Sequence, residues 1–262
     1  MKPRIFWAPL LAVFALVPVA RPGQLGGQVP GGGATAVAVS VSKPLMGENY
    51  DPLSGLLGVE ARIARSPGSG LILHGTLLRS SAGRTVSTTL ANPTVGVWMR
   101  PAGIPVEVEV SVPLMREFGE DNFASDIGRL SDQQHRERYL PGRWAVSAAL
   151  TPHMVFRDGS SGGVYLGGIG VLPKGERDLD LRARYEVWFS LRFSPRFQGG
   201  TRFAGTVRVN GEGGFDQRTQ QDLSMFVTIP GLRGYPELSF RLPVDIDLQD
   251  YVTGVVALRL RF

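Results

Sequence analysis

Cysteine is absent from the 262 residues, which excludes disulfide staples, thiolate zinc sites and a cysteine nucleophile at once. Histidine is scarce: His74, His135 and His153 stand far apart, and none has metal-ligand or catalytic spacing. No serine occupies a nucleophile elbow. The glycines Gly162, Gly163, Gly167, Gly168 and Gly170 are followed by no Lys-Ser or Lys-Thr and by no helical pattern, so they read as turns and bulges and not as a phosphate loop. These absences predict a protein that is not an enzyme and carries no cofactor. The net charge of +5 could point to nucleic acid, but the basic residues lie singly along the chain, so no nucleic-acid partner is expected.

Apolar residues at helical spacing are also missing, apart from one run at the start. Lys2 and Arg4 precede the apolar stretch Ile5 to Val19, and the small residue Ala20 follows. Residues 1–20 therefore read as a signal peptide, because the run is short for a bilayer crossing and is interrupted by Pro9 and Pro18. Residues 21–33, rich in Gly, Pro and Gln, read as a flexible lead, and 34–262 as one β-rich unit.

What the chain has in quantity is turn formers, with 34 glycines and 19 prolines, and alternation. Leu179, Leu181, Ala183, Tyr185, Val187, Phe189, Leu191 and Phe193 alternate with Asp180, Arg182, Arg184, Glu186, Trp188, Ser190, Arg192 and Ser194. Side chains on a strand point to opposite faces with period two, so this segment has one apolar and one mostly charged face. It is long for a soluble strand of roughly five or six residues, whereas a tilted strand crossing a bilayer needs roughly nine to eleven. Alternation recurs from Leu238 to Leu248 and from Val252 to Phe262, and in shorter form at Val37 to Val41, Leu57 to Ile63, Leu71 to Leu77, Val95 to Met99 and Val106 to Leu114. Trp144 to Leu150, Val164 to Leu172, Phe203 to Val209 and Leu223 to Ile229 complete the set. The expected fold is all-β: a closed antiparallel up-and-down transmembrane β-barrel of about 12 strands, with 10 possible because Thr85 to Asn92 and Gly162 to Gly170 are ambiguous.

Ser66 to Gly70, Pro101 to Ile104, Gly199 to Gly200 and Asp250 read as tight connections, and 115–141 as a long polar loop. Short turns at one end and long loops at the other fit a barrel in a membrane. Trp98, Trp144, Tyr185, Phe193, Phe203, Tyr235 and Tyr251 are candidates for interfacial aromatic girdles.

Val256, Leu258, Leu260 and the final Phe262 resemble the C-terminal strand signature of bacterial outer-membrane β-barrels, which ends on an aromatic, usually Phe. The resemblance implies an outer-membrane location and recognition by the barrel assembly machinery. Leu242 to Phe262 is also similar to the closing hairpin of outer-membrane transporter barrels, including those beside phenol-degradation pathways.

With the apolar faces toward lipid, Arg62, Arg182, Arg184, Arg192, Arg202, Arg208, Arg241, Arg259 and Arg261 fall on the lumen or its rims. Glu60, Glu107, Glu109, Asp180, Glu186, Asp245 and Asp247 share that face. The strongest lumen-lining candidates are Arg182, Arg184, Glu186, Arg192, Arg241, Asp245, Glu107 and Glu109. They either select solutes by charge or pair across strands and fill the interior. The expected role is a passive channel or transporter for small solutes. The alternative is a structural or surface-interaction barrel with a plugged lumen and a working extracellular loop.

Overall fold

A computed structural model describes residues 35–45, 54–82, 85–115, 128–129, 132–172, 179–210, 218–229, 235–244 and 252–261. The proposed signal peptide, the flexible lead, Asp245, Asp247, Asp250, Tyr251 and Phe262 lie outside the described residues, as do the side chains of Tyr235, Arg259 and Arg261.

Alternating polarity organises every long element. Among the described residues fourteen strands are formed: β1 (Ala36–Leu45), β2 (Gly55–Ser66), β3 (Ser69–Ala82), β4 (Thr85–Leu90), β5 (Thr94–Met99), β6 (Val106–Ser111), β7 (Ala145–Leu150), β8 (His153–Val155), β9 (Ser161–Val171), β10 (Asp180–Ser194), β11 (Phe197–Arg208), β12 (Thr219–Thr228), β13 (Tyr235–Pro243) and β14 (Val252–Arg261). Each pairs antiparallel with its neighbours, β9 pairs β10, and β14 pairs β1 with Ala36 opposite Arg261. The sheet therefore closes on itself, as unpaired backbone groups in lipid would require, and among the described residues only the short β4 and β8 pair on one side alone.

Two prolines explain why fourteen segments make a barrel of twelve strands. β4 and β5 both pair with β3 and are the halves of one barrel strand, interrupted at Ala91, Asn92 and Pro93. Leu90 faces Leu77 while Thr94 faces His74, so the interruption inserts one extra residue, a bulge. β7 and β8 likewise both pair with β9 and are split at Thr151 and Pro152, yet the register is kept and the Pro152 carbonyl accepts from the Val164 amide at 3.0 Å. A proline has no N–H for the ladder, so the break falls where it stands. The ambiguous Thr85 to Asn92 stretch is thus β4, and the glycine-rich Gly162 to Gly170 stretch lies inside β9.

The polarity is the inverse of a soluble protein's. On β10, outward Val187 and Phe189 are 51% and 44% exposed, while inward Ser190 is fully buried. Outward Leu71, Leu73, Val95, Val97, Leu223, Met225, Val227 and Leu238 continue an apolar surface around the barrel. Inward positions carry Thr76, Glu107, Arg184, Thr206, Ser224 and Thr253.

The end that holds the start of β1 has short connections, at 67–68, 100–105, 156–160, 195–196 and 229–234. At the other end run 46–54, 112–144, 172–179, 209–218 and 244–251, with one tight connection at 83–84. The expectation of a turn at Gly199 to Gly200 is corrected: both glycines lie within β11, and the turn is made by Pro195 and Arg196. Trp98 is also corrected, being turned inward and buried against Gly70, where a Cβ would stand 2.8 Å from the indole Cε2. An inward indole needs a neighbour without a side chain, and Gly163 does the same for inward Trp188. Trp144, Phe193 and Phe203 are exposed on the outside, and the Tyr185 and Phe203 rings pair there with centroids 6.1 Å apart.

Candidate functional site

The lumen is where the structure gathers polar chemistry, and residues 132–140 of the long connection between β6 and β7 fold into it. The bulge between β4 and β5 holds that connection. Buried Asn92 donates its side-chain amide to the Leu140 carbonyl at 2.7 Å and accepts from the Met115 amide at 2.8 Å, while its backbone amide donates to the Arg138 carbonyl at 2.8 Å. One residue thus ties down both ends of the loop. Buried Tyr139 packs with Leu56, Leu78, Ala91 and Met115, and Leu140 packs against Ala145, Ile169 and Val171. These two apolar clusters seat the loop on the strand ends by the hydrophobic effect.

Between those anchors, 3-10 turns over Gln133–Tyr139 carry charges toward the facing walls. Arg138 pairs with Glu109 on β6 at 3.3 Å, and Glu137 stands 4.0 Å from Arg184 on β10. Asp132 accepts from Arg241 on β13 at 3.4 Å and contacts His135 at 3.0 Å. β6 and β13 lie six strands apart in a ring of twelve, so the segment spans the barrel interior from one wall to the opposite one.

The wall has further pairs. Arg62 on β2 binds Glu60 at 2.7 Å and reaches past β3 and β5 to Glu107 on β6 at 2.5 Å. Arg202 binds Glu186 at 3.0 Å, and Asp180 takes Arg182 at 2.6 Å and Arg208 at 3.2 Å. Arg184 also hydrogen-bonds the Tyr165 hydroxyl and lies over that ring, its carbon 4.7 Å from the centroid. A low-dielectric interior makes a lone buried charge costly, so close pairing is what lets these residues face inward.

Of the lumen-lining candidates, Glu107, Glu109, Arg184, Glu186 and Arg241 line one cavity of about 360 Å³ together with Asp132, His135 and Arg138 from the loop. Arg182 stands apart from it, paired with Asp180 at the long-loop rim. Arg192 is exposed at the opposite rim beside Gly159, and Asp245 lies outside the described residues. His74 also lines the cavity, while His153 contacts the Thr151 carbonyl at 3.3 Å at the strand break. Asn92, Asp132 and Tyr139 were not legible as site residues. Only the Asn92-Pro93 dipeptide, a turn signal inside a strand pattern, marks the place.

No protein-family model matches the chain, and no curated protein matches it by sequence. Solved structures do share its fold. An outer membrane channel from Pseudomonas putida F1 superposes with a TM-score of 0.61 at 11% identity, covering 93% of this chain and 100% of that one. The NanC porin superposes with a TM-score of 0.51 at 7% identity, covering 86% of this chain and 100% of that one. The barrel therefore has the fold of bacterial outer-membrane channels, at a distance where only the fold is shared.

Proposed function

We propose that this protein is a bacterial outer-membrane channel through which small polar solutes pass passively. The observation that carries this reading is a polar-lined cavity of about 360 Å³ inside a closed barrel whose outer surface is apolar. Apolar residues facing outward around all the strands suit lipid hydrocarbon, and a polar interior suits aqueous passage. The fold shared with a channel and a porin supports the same reading. In this reading the lipid of the outer membrane is the surrounding partner, the barrel assembly machinery inserts the chain, and residues 1–20 are removed on export.

The inward charges set the kind of channel. Arg62, Arg138, Arg184, Arg202 and Arg241 each have a carboxylate at 4.0 Å or less. Paired charges leave little net field along the axis, so weak discrimination between anions and cations is expected. The loop across the lumen favours restriction by size. The test is ion conductance of the purified, refolded protein in a planar bilayer. Discrete steps of low conductance, with a reversal potential near zero in a salt gradient, are expected. A silent membrane from protein that shows heat-modifiable folding would overturn the channel reading and favour the surface-interaction barrel.

A further inference from the structure

The inserted loop does not divide the lumen evenly. Its apolar anchors rest on β2, β3 and the β4 to β5 bulge at one seat and on β7 and β9 at the other, and its charges go to β6, β10 and β13. The cavity is bordered by the seam where the first and last strands meet, and long side chains such as Glu107, Tyr165, Arg184 and Glu186 reach it from the other walls. Inward residues on the two seam strands are small: Ala38, Ser40 and Ser42 on β1, Val255 and Ala257 on β14. Gly58 is hemmed by polar neighbours, since a Cβ on it would stand 2.8 Å from Ser40 Oγ and 3.8 Å from His74 Nε2. Directly across the barrel, six strands from β14, inward Ala149 on β7 is buried.

We propose that the aqueous path past the loop is eccentric: it runs down the β14 and β1 wall, between the small seam residues and the Asp132 to His135 turn. This rests on the channel reading for its function but on wall geometry for its position. The loop contacts of the described residues fall on strands other than β14 and β1, so the small side chains of those two strands border the cavity, whereas equally small Ala145 on β7 is covered by Leu140. The small residues of the seam then set the limiting cross-section, and the charged loop forms the far side of the aperture.

The absence of native cysteine makes the test direct. Ala38→Cys, Ala257→Cys and Ala149→Cys are made singly and refolded in vesicles, and each is treated with a charged, membrane-impermeant methanethiosulfonate. Modification is followed by intact mass, and conductance is recorded before and after. Ala38→Cys and Ala257→Cys are expected to react at least tenfold faster than Ala149→Cys, and their modification to reduce conductance severalfold. Ala257→Cys covers the case in which Ala38→Cys fails to fold. Equal rates, or faster reaction at Ala149→Cys, would overturn the eccentric path even if the protein conducts. Fast seam labelling of a barrel that never conducts would instead overturn the channel reading and leave the position of the water path standing.

Discussion

The two sides of the lumen follow different rules although both come from strands of alternating polarity. On the loop side, inward positions carry Leu78, Glu109, Arg184 and Ile169, each with a loop residue or a loop-bearing cluster against it. On the seam side they carry Ala38, Ser40 and Ala257, which border the cavity that Glu109 and Arg184 reach from the other side with long side chains. The contrast teaches that polarity separates lumen from lipid, whereas the loop's anchors decide which part of the lumen is filled: Ala145 on β7 is as small as Ala38 but is covered by Leu140.

The strongest way to break this contrast is to remove the loop's tether. Asn92→Ala leaves the Leu140 carbonyl and the Met115 amide without their buried partner, a cost of about 2 to 4 kcal/mol. Urea unfolding in detergent should show that loss, and conductance should rise and become noisy as the loop leaves the lumen. An unchanged, quiet channel would show that the loop is held by other contacts.

Glu107→Gln comes next. It weakens the cross-lumen grip of Arg62, which keeps Glu60 and so is not stranded. A loss of about 1 to 3 kcal/mol in the same unfolding assay is expected, and an unchanged unfolding curve would show that Glu60 alone holds Arg62.

Acidification probes the loop itself. Burial raises the proton affinity of the Asp132 carboxyl, but His135, with Arg241 and Arg138 beyond it, outweighs burial and holds the group well below the usual carboxylate range. A carboxyl depressed in the folded state stabilises docking at all pH values above its ordinary value near about 3.9 and loses that contribution as pH falls through its lower folded value. Conductance should therefore be level from neutrality down to about pH 4 and increase below it. Asp132→Asn should show the raised level at neutral pH and no acid step. A step centred well above pH 4 would mean that another group controls the loop.

The smallest effect belongs to the seam. Ser40→Ala removes one hydroxyl beside open space and should change unfolding by less than about 0.5 kcal/mol, with conductance altered only slightly. A large destabilisation would show that the seam wall is packed and not merely lined.

Much of this architecture was readable from residue order because a strand writes its two environments into alternate positions. All twelve barrel strands correspond to alternating segments, and Leu179 to Ser194 matches β10 almost to its ends. Interruptions were harder. Pro93 and Pro152 split strands without ending them, since the partner strand carries the pairing across, and no local pattern records what a partner does. Trp98 looked like an interfacial aromatic because its side is decided by the strand's phase, with Val97 and Met99 outward. The loop's place was the least legible part. The contact of Asp132 with Arg241 joins residues 109 positions apart, and charged residues in a polar loop look the same whether they end in solvent or in a lumen.

The seam between β1 and β14 also bears on how the barrel comes to exist. Every other wall joins segments that are close in the chain, but this one joins the two ends of the described chain, so its contact order is the highest in the molecule. Contacts of that kind form late and slowly. The wall assigned to the solute path is thus the last to be made, and a barrel caught before closure would be open to lipid along the side meant for water.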